Sequence, residues 1–158
     1  MKKSLIKLPE ETMKIKIIDN RKSLIEKCKK AGFAAIHGDY FEEIVRIPRH
    51  VICSASNPSF SFGGGFDLAL KDNFPFYCYQ KQKSLIEGNE RIGNICFLVS
   101  VDRQVNASEE LVRSAIRFAI DNTGKDETLC LMGLGCFIGG FPEDDFVRVL
   151  GEELEKYY

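Results

Sequence analysis

Apolar and polar residues recur along this chain in two periods, and the switches between them mark its elements. Residues 13–18 alternate apolar with basic positions, the pattern of an edge strand with one solvated face. Asp19 or Asn20 then stands where a helix cap is expected, and Leu24, Ile25, Cys28 and Ala31 form one helical stripe closed by Gly32. Residues 33–36 are a continuous apolar run, which predicts a strand buried on both faces that delivers Gly38-Asp39 at its carboxyl end. Val51 to Cys53 repeats that arrangement ahead of a glycine-rich segment. A helix over 66–74 stopped or kinked at Pro75, a second helical piece over 76–86 ending at Gly88-Asn89, and a buried strand over 95–101 follow. Asn106 with Glu109 has the form of a capping box, and Val112, Ala115, Ile116 and Ala119 recur at helical spacing. Residues 128–132 predict another strand, and Pro142 opens a last helix with Phe146, Val147, Leu150, Leu154 and Tyr157 on one face. Residues 1–12, polar and interrupted by Pro9, are either a loose arm or an added edge strand.

Strands alternating with helices predict an α/β fold: a mixed, mainly parallel central sheet covered on both faces, three layers in all. The chain has 158 residues, 44% hydrophobic and 28% charged, which suits one domain over 1–158 with a sizeable core. A net charge of -1 gives no case for general nucleic-acid binding, which relies on clustered Lys and Arg to neutralise phosphates. The opening Met1-Lys2-Lys3 is not followed by an apolar stretch, since Lys7 and Pro9 break it, and no run approaches membrane-spanning length. A soluble cytoplasmic protein is expected. Six cysteines, at 28, 53, 78, 96, 130 and 136, include no Cys-x-x-Cys pair, and most sit in apolar runs where a thiol packs as a small hydrophobe. Metal, cofactor and disulfide framework are accordingly not expected.

The chemistry concentrates in residues 51–70, where an apolar strand runs into a polar turn, three glycines and a helix start. Bare backbone lets N–H groups approach an anion closely, and a following helix N-terminus adds partial positive charge. The stretch has the form of a phosphate site, although glycines between a strand and a helix also serve as a simple tight turn.

Read with its flanks, the segment resembles the first ligand loop of the macro domain, the ADP-ribose-binding fold. The family's Asn-Ala-Ala-Asn and Gly-Gly-Gly-Val-Asp are similar to Ser54-Ala55-Ser56-Asn57 and Gly63-Gly64-Gly65-Phe66-Asp67, at matching spacing. Upstream, Gly38-Asp39 resembles the family's Gly-Asp, and Tyr40 follows it. Downstream, Leu134-Gly135-Cys136-Phe137-Ile138-Gly139-Gly140, followed by Phe141, resembles the second phosphate loop. Three features depart from the pattern: Ser54 for the first Asn, Phe62 for a frequent glycine, and Phe137 where glycine is usual. The lysine that carries catalysis in the terminal glycohydrolase branch has no counterpart in Ser100-Val101-Asp102, whereas the Asn and Asp used by the MacroD-type hydrolases are present.

The resemblance implies that Asp39 receives the adenine amino group, with Tyr40 beside it. It further implies that Ser54, Gly63, Gly64, Gly65, Phe66, Gly135, Cys136, Phe137, Ile138, Gly139, Gly140 and Phe141 surround the pyrophosphate and ribose. Asn57 would hold the distal ribose, and Asn57 with Asp67 would carry hydrolysis. Each residue also has a plainer role: Asp39 and Asn57 as turn formers, and Asp67 as an acid in the first turn of a helix. The implied partner is ADP-ribose or an ADP-ribosylated macromolecule, met by a monomer. A module that reads ADP-ribose without hydrolysis is the alternative, and phosphatase action on ADP-ribose 1''-phosphate is another, for which only His50 and Cys136 offer a reactive group.

Overall fold

The computed structural model describes residues 14–137 and 139–157, so the arm or edge strand expected over 1–12 lies outside the described residues. In chain order the elements are β1 (Lys14–Asp19), α1 (Lys22–Lys30), β2 (Ala35–His37), α2 (Tyr40–Ile44), β3 (His50–Cys53) and α3 (Gly65–Asn73). They continue with α4 (Pro75–Lys83), β4 (Glu90–Ile92), β5 (Ile95–Phe97), α5 (Glu109–Asp121), β6 (Thr128–Leu131) and α6 (Glu143–Glu155). The strands form one sheet in the order β2-β1-β6-β3-β5-β4. Five run parallel, and only β4 is antiparallel, paired with β5. Helices cover both faces, giving a three-layer α/β/α architecture.

The pattern of apolar positions located most of these elements but missed the short helix α2, and it exchanged two strands. β1 is interior, flanked by β2 and β6, and not the edge its alternation suggested. Its lysines, Lys14 and Lys16, fall at the amino end, while Ile17, Ile18 and Asp19 are buried at the carboxyl end. The apolar run at 33–36 instead precedes and enters the short edge strand β2, which is only half-buried. Neither Asp19 nor Asn20 caps α1. The N-cap is Arg21 without a side-chain bond, because Asp19 is spent as the last residue of β1. Gly32, at φ +97°, closes α1 as expected. Ser108, whose hydroxyl accepts from Leu111 N–H, caps α5 in place of Asn106. Strand β4 was not anticipated, since three half-buried residues leave no periodic signal. α4 ends at Lys83, short of the expected 86.

Two buried polar devices lock the layers. Tyr40, at the start of α2, donates its hydroxyl to the Cys130 carbonyl and accepts from Cys53 N–H at 3.0 Å, joining the helix layer to β6 and β3. On the other side, α5 and α6 meet around Glu153, which is fully buried and accepts from Arg117, Arg113 and Lys156. The Arg117 hydrogen bond is the largest influence holding its carboxyl down, to about 2 from an ordinary 4.5.

Tyr40→Phe strands both a buried N–H and a buried carbonyl and is expected to lower stability by about 1–3 kcal/mol in urea unfolding. Glu153 binds its proton less readily folded than unfolded, so its contribution is complete above pH 4.5 and is lost as pH falls toward 2. Glu153→Gln should therefore lower Tm at neutral pH and flatten the decline in Tm across that acid window.

Candidate functional site

Because five neighbouring strands run the same way, their carboxyl ends open along one edge, and a cavity of about 660 Å³ lies there. That volume falls within the usual range for small-molecule sites, ~300–1,000 Å³. Residues following β2, β1, β6, β3 and β5 all reach its wall, from Asp39 at one end to Ser100 at the other. Four strand steps of ~4.8 Å put these ends about 19 Å apart, so the site is elongated.

The first glycine loop joins β3 to α3. Gly65 takes φ +57°, which favours glycine, but Gly63 and Gly64 do not need to be glycine for the backbone's sake. A Cβ on Gly64 would meet nothing within 4 Å, and one on Gly63 only Ser61 Oγ at 3.7 Å. Neither conformation nor packing accounts for this pair, which stands at the amino end of α3 on the cavity wall. Their effect is to leave bare N–H groups open to an anion. In the second loop the opposite holds at Gly139, where a Cβ would lie 2.7 Å from Val101 and 2.9 Å from Ala107.

Asp67, in the first turn of α3, is nearly buried. One carboxylate oxygen accepts from Ala55 N–H at 3.0 Å and the other from the Ser56 hydroxyl. Ser56 Oγ lies 3.0 Å from Ser54 Oγ, which in turn accepts from Leu98 N–H at 2.8 Å. Burial raises the Asp67 carboxyl above its ordinary range, outweighing the hydrogen bonds from Ser56 and Ala55 that pull it down. A basic, proton-accepting carboxylate therefore sits on the wall, tied to the loop that precedes it. Asn57 makes the turn its residue type suggests, its Oδ1 accepting from Ser59 N–H at 2.8 Å. That bond engages the amide oxygen, and the amide nitrogen makes no bond among the described residues.

Asp39 caps α2, one oxygen accepting from Glu42 N–H at 2.9 Å, and remains exposed on the wall. Tyr40 and Phe66 line the same end, with Phe66 stacked on Phe41 at 5.1 Å, although the Tyr40 hydroxyl is used inside the fold. Gly135, Gly139 and Phe137 complete the second loop's share of the wall, and Phe137 is 73% exposed. Ser54 is fully buried between β3 and β5, and Phe141 is core, so neither side chain lines the cavity. Cys136 and Gly140 do not line it either, and Ile138 lies outside the described residues. Burial pushes the Cys136 thiol up to about 12, and His50 starts β3 at the sheet's opposite edge with Nδ1 on the Ile47 carbonyl. The reactive groups considered for phosphatase action are thus an unionised thiol and a distant imidazole.

Sequence reasoning missed two wall features. The first is the end of β1, where Asp19 and Arg21 form a fork of hydrogen bonds. Burial pushes the Asp19 carboxyl upward, but the Arg21 guanidinium and Gly133 N–H prevail and hold it below its ordinary value. An Asp two residues before an Arg at a strand end was the available signal. The second is Ser100, 1% exposed, whose hydroxyl finds no hydrogen-bond partner among the described residues. Phe62, noted as a departure, sits at φ +54° and packs against Phe97 at 5.8 Å, which explains why glycine would suit that position.

No protein-family model matches this chain, and no curated protein matches it. No helix among the described residues is long and apolar enough to cross a membrane.

An unpartnered buried hydroxyl opposes folding by about 1–3 kcal/mol. Ser100→Ala is therefore expected to raise Tm by roughly 2–12 °C. A fall in Tm on a calorimetric scan would show that the hydroxyl is bonded in solution.

Proposed function

We propose that this chain is a macro-type domain that binds ADP-ribose and hydrolyses its bond to a modified macromolecule. The observation that carries the reading is the bare pair Gly63-Gly64, open to an anion at the amino end of α3 within an elongated cavity. Asp39 and Asn57 line the same elongated cavity as that pair, which suits a ligand with a base at one end and a sugar at the other. The Asp39 oxygens accept from the adenine amine, a bond strengthened by the carboxylate's charge. The free amide nitrogen of Asn57 donates to the distal ribose.

In the hydrolytic step Asp67 takes a proton from a water whose oxygen bonds to the anomeric carbon of that ribose. The bond from this carbon to the macromolecule breaks, and the departing atom takes up a proton from solvent. The raised affinity of Asp67 for a proton suits a general base. One observation favours the alternative of a non-hydrolysing reader: both Asp67 oxygens already accept hydrogen bonds from the protein.

Titration calorimetry with ADP-ribose, AMP and ribose 5-phosphate tests the binding, with ADP-ribose expected to bind at one site more tightly than either fragment. Asp67→Asn retains an acceptor for Ala55 N–H and removes the base. It should abolish release of ADP-ribose from a modified protein while leaving ADP-ribose affinity within several-fold. Unchanged release in that variant removes Asp67 from the mechanism, and no release by the native protein leaves a reader.

A further inference from the structure

Arg21 is the single cationic side chain on the cavity wall among the described residues, against the carboxylates of Asp19, Asp39 and Asp67. Its Nε and Nη2 each donate to Asp19 at 2.8 Å, and Nη2 also approaches the Gly133 carbonyl at 3.4 Å. Nη1 makes no hydrogen bond among the described residues, so one edge of the guanidinium keeps its donors while the other is fixed. Asp19 is only 6% exposed, and it accepts in addition from Gly133 N–H at 3.0 Å. The guanidinium occupies the space a side chain at 133 would need: a Cβ there would lie 2.7 Å from Arg21 Nη2. A largely buried ion pair is a weak source of stability, and an apolar pair of similar size would serve the fold as well. Holding a cation still on the wall of an anion site is a use for it.

Register fixes where that cation stands. Asp19 pairs with His37, and Gly38 N–H donates to the Asp19 carbonyl at 3.0 Å, so Arg21 and Asp39 emerge side by side from neighbouring strands. On its other flank is Gly133, the start of the second glycine loop. Arg21 thus stands between the strand end that carries Asp39 and the residue that leads into the second glycine loop.

Resting on that assignment of the site, we propose that Arg21 is a specificity-determining ligand contact. Its Nη1 edge donates to a phosphoryl oxygen on the adenosine side of the diphosphate, and Asp19 is its positioning residue. The cavity then distinguishes 5'-phosphorylated adenosine from adenosine by a charged contact, in addition to the backbone donors of the glycine loops.

The test compares adenosine, AMP and ADP-ribose on the full chain, by calorimetry for the nucleotides and by NMR shift titration for the nucleoside. Arg21→Met alone strands the buried Asp19 charge, so the variant is Asp19→Asn with Arg21→Met, its fold checked by Tm. Affinity for AMP and ADP-ribose should fall about tenfold or more, while adenosine stays within about twofold. Arg21→Lys, which keeps the charge and loses the fork, should fall between the two. If native and double-variant proteins bind AMP and ADP-ribose equally, the Arg21 contact is wrong and the ADP-ribose reading stands. If adenosine weakens as much as AMP, the guanidinium acts on the base and the phosphate contact is overturned. If the native protein binds none of the three, both readings fall together.

Discussion

The parallel pairing of β1, β6 and β3 is the constraint on which the rest of the structure depends. Lys14 and His50 both align with Thr128, so three central strands start level. With β2 and β5 added in the same direction, every loop that leaves the sheet at its carboxyl edge opens into one cavity. Parallel strands require crossovers, and the crossovers are the helices that cover the faces. The site is therefore a by-product of strand direction: residues as far apart in sequence as Arg21 and Ser100 come to line one cavity because their strands point the same way.

Within that frame the glycines divide into two physical kinds. Gly133 and Gly139 are glycine because neighbouring side chains already fill the Cβ position. Gly63 and Gly64 are glycine with empty space in front of them. A glycine that serves packing is explained by the protein alone, and one facing open cavity is explained only by something outside it. Motif spacing cannot separate the two kinds, since both read simply as Gly.

Legibility from the sequence followed the same division between local and distant causes. The strands at 50–53, 95–97 and 128–131, expected over 51–53, 95–101 and 128–132, and the stripes of α1 and α5 were visible because periodicity is local. The exchange of edge and interior between β1 and β2 was not, because Lys14 and Lys16 lie at the open amino end of an interior strand, and their alternation imitates an exposed face. The loops at 38–40 and 63–67 announced the cavity, and Asp39, Asn57 and Asp67 do stand on its wall. Ser54 and Phe141 instead face inward, a matter of strand pairing and core packing that spacing does not record. Arg21 escaped notice because its role requires knowing that Gly133 lies against it across the sheet.

Phe60 and Phe62 both sit in the left-handed region, at φ +49° and +54°, where an L-residue is disfavoured by about 1–2 kcal/mol. Their rings are held against each other and against Phe97, with the Lys81 ammonium 4.6 Å from the Phe60 ring centre. The run leading into Gly63 is thus tensioned by aromatic burial against backbone preference. Apolar burial weakens on cooling, whereas the steric preference does not. The order of the glycine loop consequently rests on apolar burial, a contribution that weakens on cooling.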